Sequence, residues 1–348
     1  MKKGKDFEKR LKKHAASFLK AFDFTWNLPW ESLHFYIGIL PCRCHLKNIY
    51  KEIQMNKTTL IACIASLVLM AILASCNDEG KESQKTGGAK KQTEISVITR
   101  EAGSGTRDAF TELVGTLIKE NGKKKDITTK EALTIDGTQG VMSTVAGNEY
   151  AIGYISLGSL NNTVKAMKID GVEPTKENVK SAAYSISRPF NIATKGELKG
   201  LVKDFIDFIM SADGQKIVDA NGYVSVVDGA PYVSRKLKGK LIVVGSSSVS
   251  PVMEKLKEAY VKLNPDVEIE IQTNDSSSGM LAAKEGTCDI GMASRNLKAS
   301  ESEVLTGLTI ARDGIAVIVN RQNAISDIPL SKLREIYTGS LRFWEQVQ

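Results

Sequence analysis

Thr99-Arg100-Glu101-Ala102-Gly103-Ser104-Gly105-Thr106-Arg107 is the stretch on which the reading of the fold turns. It follows the β-rich run Ile95-Ser96-Val97-Ile98-Thr99 and precedes a segment in which Phe110, Val114, Leu117 and Ile118 share one helical face, so a helix is expected over 107–119. A strand, a Gly/Ser turn and a first helical turn thus come in that order. The same order recurs in Gly245-Ser246-Ser247-Ser248-Val249-Ser250-Pro251 and in Asp275-Ser276-Ser277-Ser278-Gly279. A helix N-terminus offers unpaired N–H groups and the positive end of the dipole. Glycine lets a guest approach the backbone, and hydroxyls add donors without charge. Arg100 adds a planar fork matched to an oxyanion, and Pro251 suits a first helical turn. One such turn alone reads as an N-cap. Three in one chain, one with an arginine, point to an anion site that could replace a guest's water with about ten hydrogen bonds.

Around these turns the chain alternates β-rich and helical patterns. Strands are expected at 150–155, 240–244, 267–271, 290–293 and 315–320. Helices are expected at 201–210, 215–218, 251–263 (Val252, Leu256, Tyr260 and Leu263 in register) and 330–337, the last followed by a turn at Trp344. The alternation argues for α/β layers. Catalysis finds little support. Gly103-Ser104-Gly105 lacks the Gly-x-Ser-x-Gly spacing of a nucleophile elbow. The only histidines, His14, His34 and His45, all precede Met55, against a Ser-His hydrolase. There is no phosphate-loop signature of a nucleotide hydrolase and no dinucleotide fingerprint.

The 348 residues leave room for two domains, and the net charge is +7. Residues 1–54 carry 11 basic against 5 acidic side chains, 55–75 one against none, and 76–348 carry 35 against 35. The neutral main part gives no support to nucleic-acid binding. Met55-Asn56-Lys57, the apolar run Leu60 to Leu73 and Leu73-Ala74-Ser75-Cys76 have the layout of an export signal at 55–75. The cysteine after the small pair resembles a bacterial lipobox, with Cys76 as the lipidated residue. Translation is expected to start at Met55, with 1–54 an extension outside the mature fold, and 76–94 reads as a flexible tether. The five cysteines, Cys42, Cys44, Cys63, Cys76 and Cys288, form no disulfide framework. Cys42-Arg43-Cys44-His45 has no second pair at finger spacing, so no metal is expected. Cys288 reads as a small buried hydrophobe.

Arg100-Glu-Ala-Gly-Ser-Gly-Thr106 resembles the Arg-x-x-Gly-Ser-Gly-Thr phosphate loop of the PstS family of phosphate-binding proteins. Val244-Gly-Ser-Ser-Ser-Val-Ser-Pro251 is similar to that family's first loop, and Ser276-Ser-Ser-Gly279 with Gly286-Thr-Cys-Asp-Ile-Gly-Met-Ala-Ser-Arg295 to its second loop and the following strand. Ala311-Arg-Asp-Gly-Ile-Ala-Val-Ile-Val-Asn320 and Ile336-Tyr-Thr-Gly339 also match. The order differs from the common one: the Arg-x-x-Gly-Ser-Gly-Thr half comes first, as in a circular permutation.

The resemblance implies a circularly permuted, two-lobed periplasmic-binding-protein-like (type II) α/β fold with the ligand between the lobes, closing by a hinge. One lobe would be 95–185 with 313–348, the other 186–312. It implies an exported, lipid-anchored monomer on the outer face of the cytoplasmic membrane that captures inorganic phosphate for an ABC importer. It needs no cofactor, and its partners are the permease subunits. Carried over, the phosphate ligands are Arg100, Ser104, Gly105, Thr106, Ser247, Ser248, Ser276 and Ser294, with Ser246, Ser277, Arg295 and Asp275 as further candidates. Many family members have an acceptor Asp where Ala293-Ser294-Arg295 stands here. Its proton-accepting role would fall to Asp275, or Ser294 or Arg295 would contact the anion. The competing readings are a binder of sulfate or molybdate, a phosphatase-like enzyme, and a surface adhesin or sensor.

Overall fold

The computed structural model describes residues 92–347, so the expected leader, Cys76 and most of the tether lie outside the described residues. The strands are β1 (Ser96–Arg100), β2 (Leu117–Glu120), β3 (Lys123–Asp126), β4 (Leu133–Ile135), β5 (Ala151–Ser156), β6 (Lys165–Ala166), β7 (Lys168–Ile169), β8 (Ser187–Lys195), β9 (Gly239–Ser246), β10 (Val267–Asn274), β11 (Ile290–Ala293), β12 (Leu305–Val319) and β13 (Asp327–Ile328). The helices are α1 (Gly105–Val114), α2 (Gly137–Gly147), α3 (Lys176–Lys180), α4 (Gly200–Ile209), α5 (Ala212–Ala220), α6 (Ser250–Leu263), α7 (Ser276–Glu285), α8 (Ala299–Ser302) and α9 (Leu330–Thr338). Among the described residues no helix is long and apolar enough to cross a membrane.

One sheet runs through the fold in the order β10-β9-β11-β8-β12-β5-β1-β4. At one end β9 lies parallel to β10 and β11; at the other β1 lies parallel to β4 and β5. The antiparallel pair β8–β12 joins the two ends. Strand β12 is 15 residues long: up to Gly314 it pairs with β8, and from Ile315 with β5. Buried side chains follow this division. Phe190, Phe205, Leu256, Tyr260, Ile290 and Ile310 belong to one core. Phe110, Tyr154, Ile315, Val317, Ile336 and Trp344 belong to another, and Ile98, Val141, Val145 and Ile318 fill the opposite face of the same sheet end. The two ends of the folded part lie side by side: Ile95 donates to the Arg342 carbonyl at 2.8 Å, and Trp344 to that of Thr93 at 2.9 Å.

The helix expected over 107–119 stops early. Gly115 takes the left-handed conformation (φ +81°) that caps α1. Leu117 and Ile118 belong instead to the β2–β3 hairpin, where they face Asp126 and Lys125. The strand expected at 315–320 is the last third of β12, and the polar first part, Leu305–Thr309, pairs with β8 as well.

Arg188 and Asp313 face each other across β8 and β12 at the crossing between the two cores. Both side chains are buried, and Arg188 Nη2 lies 3.1 Å from Asp313 Oδ2. Burial pushes the Asp313 carboxyl up to about 6 in spite of Arg188, and it lowers the Arg188 guanidinium in spite of Asp313. Desolvation thus outweighs the attraction within the pair. Because the folded chain keeps a proton that the unfolded chain has lost between about pH 4 and pH 6, the contribution of Asp313 to stability falls as pH rises through that window. Arg188→Met, which strands the carboxylate, is expected to cost about 3–5 kcal/mol at pH 7.5. The deficit should shrink at pH 5, where Asp313 is protonated. The double variant Arg188→Met/Asp313→Leu should recover most of the loss. Urea unfolding of all three chains at the two pH values checks this.

Candidate functional site

Parallel strands leave their carboxyl ends on one side of a sheet, and ligands of open α/β sheets sit there. Strand β1 delivers Arg100 and passes through Glu101–Gly103 into α1. Ser104 is the N-cap of α1, its Oγ accepting from Arg107 N–H at 3.3 Å. Strand β9 ends at Ser246, and the turn Ser247–Val249 leads into α6. Strand β10 ends beside it, because Asn274 pairs with Ser246 and the Asn274 carbonyl accepts from Ser247 N–H at 2.8 Å. Asp275 then caps α7. Strand β11 brings Ser294 and Arg295 to the same edge.

These ends meet. Arg100 is 1% exposed. Its Nε and Nη2 donate to the two Glu101 carboxylate oxygens at 2.7 and 2.6 Å, which fixes the plane of the fork. Nη2 also donates to Ser247 Oγ at 3.1 Å, and Nη1 points at Thr106 Oγ1 at 3.5 Å. Thr106 and Ser248 share a hydrogen bond of 2.8 Å. Ser276 and Ser294 are fully buried; Ser276 Oγ accepts from Ser294 N–H at 3.1 Å. Gly105 is required here: a Cβ on it would stand 2.3 Å from Ser276 Oγ and 2.9 Å from Ser294 Oγ. Ser277 donates from its N–H and its Oγ to the Gly103 carbonyl, each at 3.2 Å. Hydroxyls, first-turn N–H groups and one guanidinium thus converge, with the Glu101 carboxylate on the far edge of the fork. Such a set binds a small, acceptor-rich anion by replacing its hydration shell.

Arg100, Ser104, Gly105, Thr106, Ser247, Ser248, Ser276 and Ser294 all lie in this cluster. Ser246 lies beneath it, its Oγ accepting from Ser248 N–H at 3.3 Å within the turn. Asp275 is committed to its own helix, accepting from Ser278 N–H at 2.9 Å and Ser278 Oγ at 2.6 Å. Arg295 is spoken for as well. Its two Nη groups donate to Glu301 at 2.8 Å each, and its Nε lies 3.0 Å from Asp108 at the start of α1. Sequence reasoning missed Thr138, whose buried Oγ1 lies 3.4 Å from both Ser247 Oγ and Ser248 Oγ. The signal was present: Ile135-Asp136-Gly137-Thr138 is another strand, turn and first helical turn, obscured by a strand of three residues. Cys288 is half-buried, and burial pushes its thiol up to about 11, away from reactivity.

The family model described as a PBP superfamily domain matches residues 56–213 and 230–348. The phosphate-binding protein PstS 2 of Streptococcus agalactiae serotype V is 43% identical over 297 residues, covering 84% of this chain and 99% of the relative. The phosphate-binding protein PstS of Bacillus subtilis is 35% identical over 162 residues, covering 46% of this chain and 50% of the relative. Among solved structures, a phosphate-binding protein of a phosphate ABC transporter from Streptococcus pneumoniae TIGR4 is 49% identical, with a TM-score of 0.61, covering 74% of this chain and all of that one.

Gly105→Ala should wedge α1 away from Ser276 and Ser294. Overpacking of this kind costs about 1–3 kcal/mol. A melting temperature lowered by several degrees is the expected outcome, and Ser276→Gly placed on top of it should restore part of the loss.

Proposed function

We propose that this chain, which belongs to the PBP superfamily and within it to the PstS phosphate-binding proteins, captures inorganic phosphate for an ABC importer by closing two lobes around the anion. It is an extracytoplasmic substrate-binding protein. The observation that carries the site is the buried Arg100 fork, held by Glu101 and aimed at Thr106 and Ser247. In this reading the lobes are 95–185 with 313–348 and 186–312, and the division of the buried side chains supports it. Arg100, Ser104, Gly105 and Thr106 then bind from one lobe, and Ser247, Ser248, Ser276 and Ser294 from the other. The anion bridges the lobes, so its binding energy is spent on closure. The Arg295–Asp108 ion pair and the Ser277–Gly103 hydrogen bonds span the same gap and stabilise the closed form. The protein acts without chemical turnover, as a monomer held to the membrane by lipid on Cys76.

The permuted order has its own support. The streptococcal relative follows this chain in one order along nearly its whole length, whereas the Bacillus subtilis protein does so along half. An alignment that must preserve order can follow only one half of a permuted partner. The adjacent ends at Thr93 and Trp344 supply the geometry that permutation needs.

Calorimetric titration of the purified full chain with phosphate, arsenate and sulfate tests the reading. Phosphate and arsenate should bind tightly, and sulfate at least about a hundredfold more weakly, since a Ser or Thr hydroxyl can accept the proton that phosphate and arsenate carry and is left mispaired by sulfate, which has none to give. Arg100→Lys should weaken phosphate binding by about ten- to a hundredfold, because a point charge cannot replace the fork. Absence of phosphate binding, or sulfate bound as well as phosphate, would overturn the reading. Asp108→Asn, which removes one inter-lobe charge, should weaken phosphate binding by only severalfold.

A further inference from the structure

A fourth helix N-terminus stands beside the three turns. Strand β4 lies parallel to β1 with Ile135 opposite Arg100, so α2 begins level with the Arg100 turn. Asp136 occupies the cap position of α2 but makes no side-chain hydrogen bond to it. The Glu101 carboxylate that holds Arg100 also accepts from Gly137 N–H at 3.3 Å, tying the start of α2 to the fork. Thr138 follows, 3% exposed.

The hydroxyl of Thr138 resembles that of Thr106 and differs from those of Thr111 and Thr144, which lie further along their helices. Thr111 donates to the carbonyl of Arg107 at 2.9 Å, and Thr144 to that of Gly140 at 2.8 Å. In the first turn of α2, Thr138 has no carbonyl of its own helix behind it. Its Oγ1 meets Ser247 Oγ and Ser248 Oγ, both at 3.4 Å, long for a bond between hydroxyls. A buried donor this poorly matched by the protein calls for a better acceptor. The hydroxyls of Thr106, Thr138, Ser247 and Ser248 and the Nη groups of Arg100 form one connected set of contacts, and a guest rich in acceptors satisfies them together.

We propose that Thr138 is a phosphate ligand: its hydroxyl donates to an oxygen of the anion, and the first turn of α2 closes a fourth side of the cage. The inference rests on the phosphate reading of the cleft and deepens it. It also makes Glu101 a positioning residue for two ligands at once, Arg100 and Thr138.

The test is titration of phosphate into the full chain carrying Thr138→Val or Thr138→Ser, beside the wild type. Thr138→Val keeps the shape and removes the hydroxyl, and should weaken phosphate binding about tenfold or more, the loss expected for a hydrogen bond to a charged acceptor. Thr138→Ser keeps the hydroxyl and should stay within about threefold of the wild type. Melting temperatures without phosphate should be alike in all three chains, and the rise on adding phosphate should be diminished in Thr138→Val only. Wild-type affinity in Thr138→Val would overturn the inference. Equal losses in both variants would also overturn it, assigning Thr138 to packing through its methyl group. A wild-type chain that binds no phosphate would instead sink the underlying reading, so the two failures are told apart.

Discussion

The antiparallel ladder between β8 and β12 is the constraint on which the rest of the architecture hangs. It is the only pairing that links the two ends of the sheet among the described residues. A strand that changes partners, from β8 to β5, carries one hydrogen-bonded path from one core into the other. The crossing is marked by a buried ion pair whose own desolvation offsets its attraction. Such a pair adds little net stability, yet it penalises any register in which one charge is left alone. The pair therefore fixes the register of β8 against β12 at the crossing.

From that frame follows the electrostatics of the cleft. Strands β1 and β4 on one side and β9, β10 and β11 on the other aim their carboxyl ends at a common gap, so helix N-termini face each other across it. A lone guanidinium buried there would be costly. Glu101 neutralises it locally while leaving the Nη side of the fork for a guest. In the proposed site the attraction for an anion then comes mainly from N–H and O–H dipoles, and a site built of dipoles can be selective without a large net charge. That agrees with a main part carrying equal numbers of basic and acidic side chains.

The order of motifs along the chain matters less to this site than their meeting point. Cutting a fold where two surface segments already touch and joining it elsewhere leaves every strand neighbour in place. Here Thr93 and Ile95 hydrogen-bond with Trp344 and Arg342, within the core that holds Trp344 and Ile336. The turns of the cleft lie outside that seam and keep their partners.

The sequence by itself determined the strands and helices whose periodicity is strong, such as α6 with Val252, Leu256 and Tyr260 on one face, and β11, read to its exact ends. It also determined the chemistry of three turns, because Gly, Ser and Arg at a strand end followed by a helix mean much the same in any fold. Where local signals were weak the reading failed. Gly115 ended α1 against a continuing apolar face, and β4 was too short to flag Thr138. Strand β8 and the polar first part of β12 took their conformation from each other rather than from their own residues. Only the tertiary structure decided which donors meet. It set Arg295 against Asp108, and it brought Thr138 to Ser247 and Ser248. The physical reason is that a hydrogen bond depends on distance and direction between groups more than a hundred residues apart, and no local pattern encodes those until the sheet has aligned its strand ends.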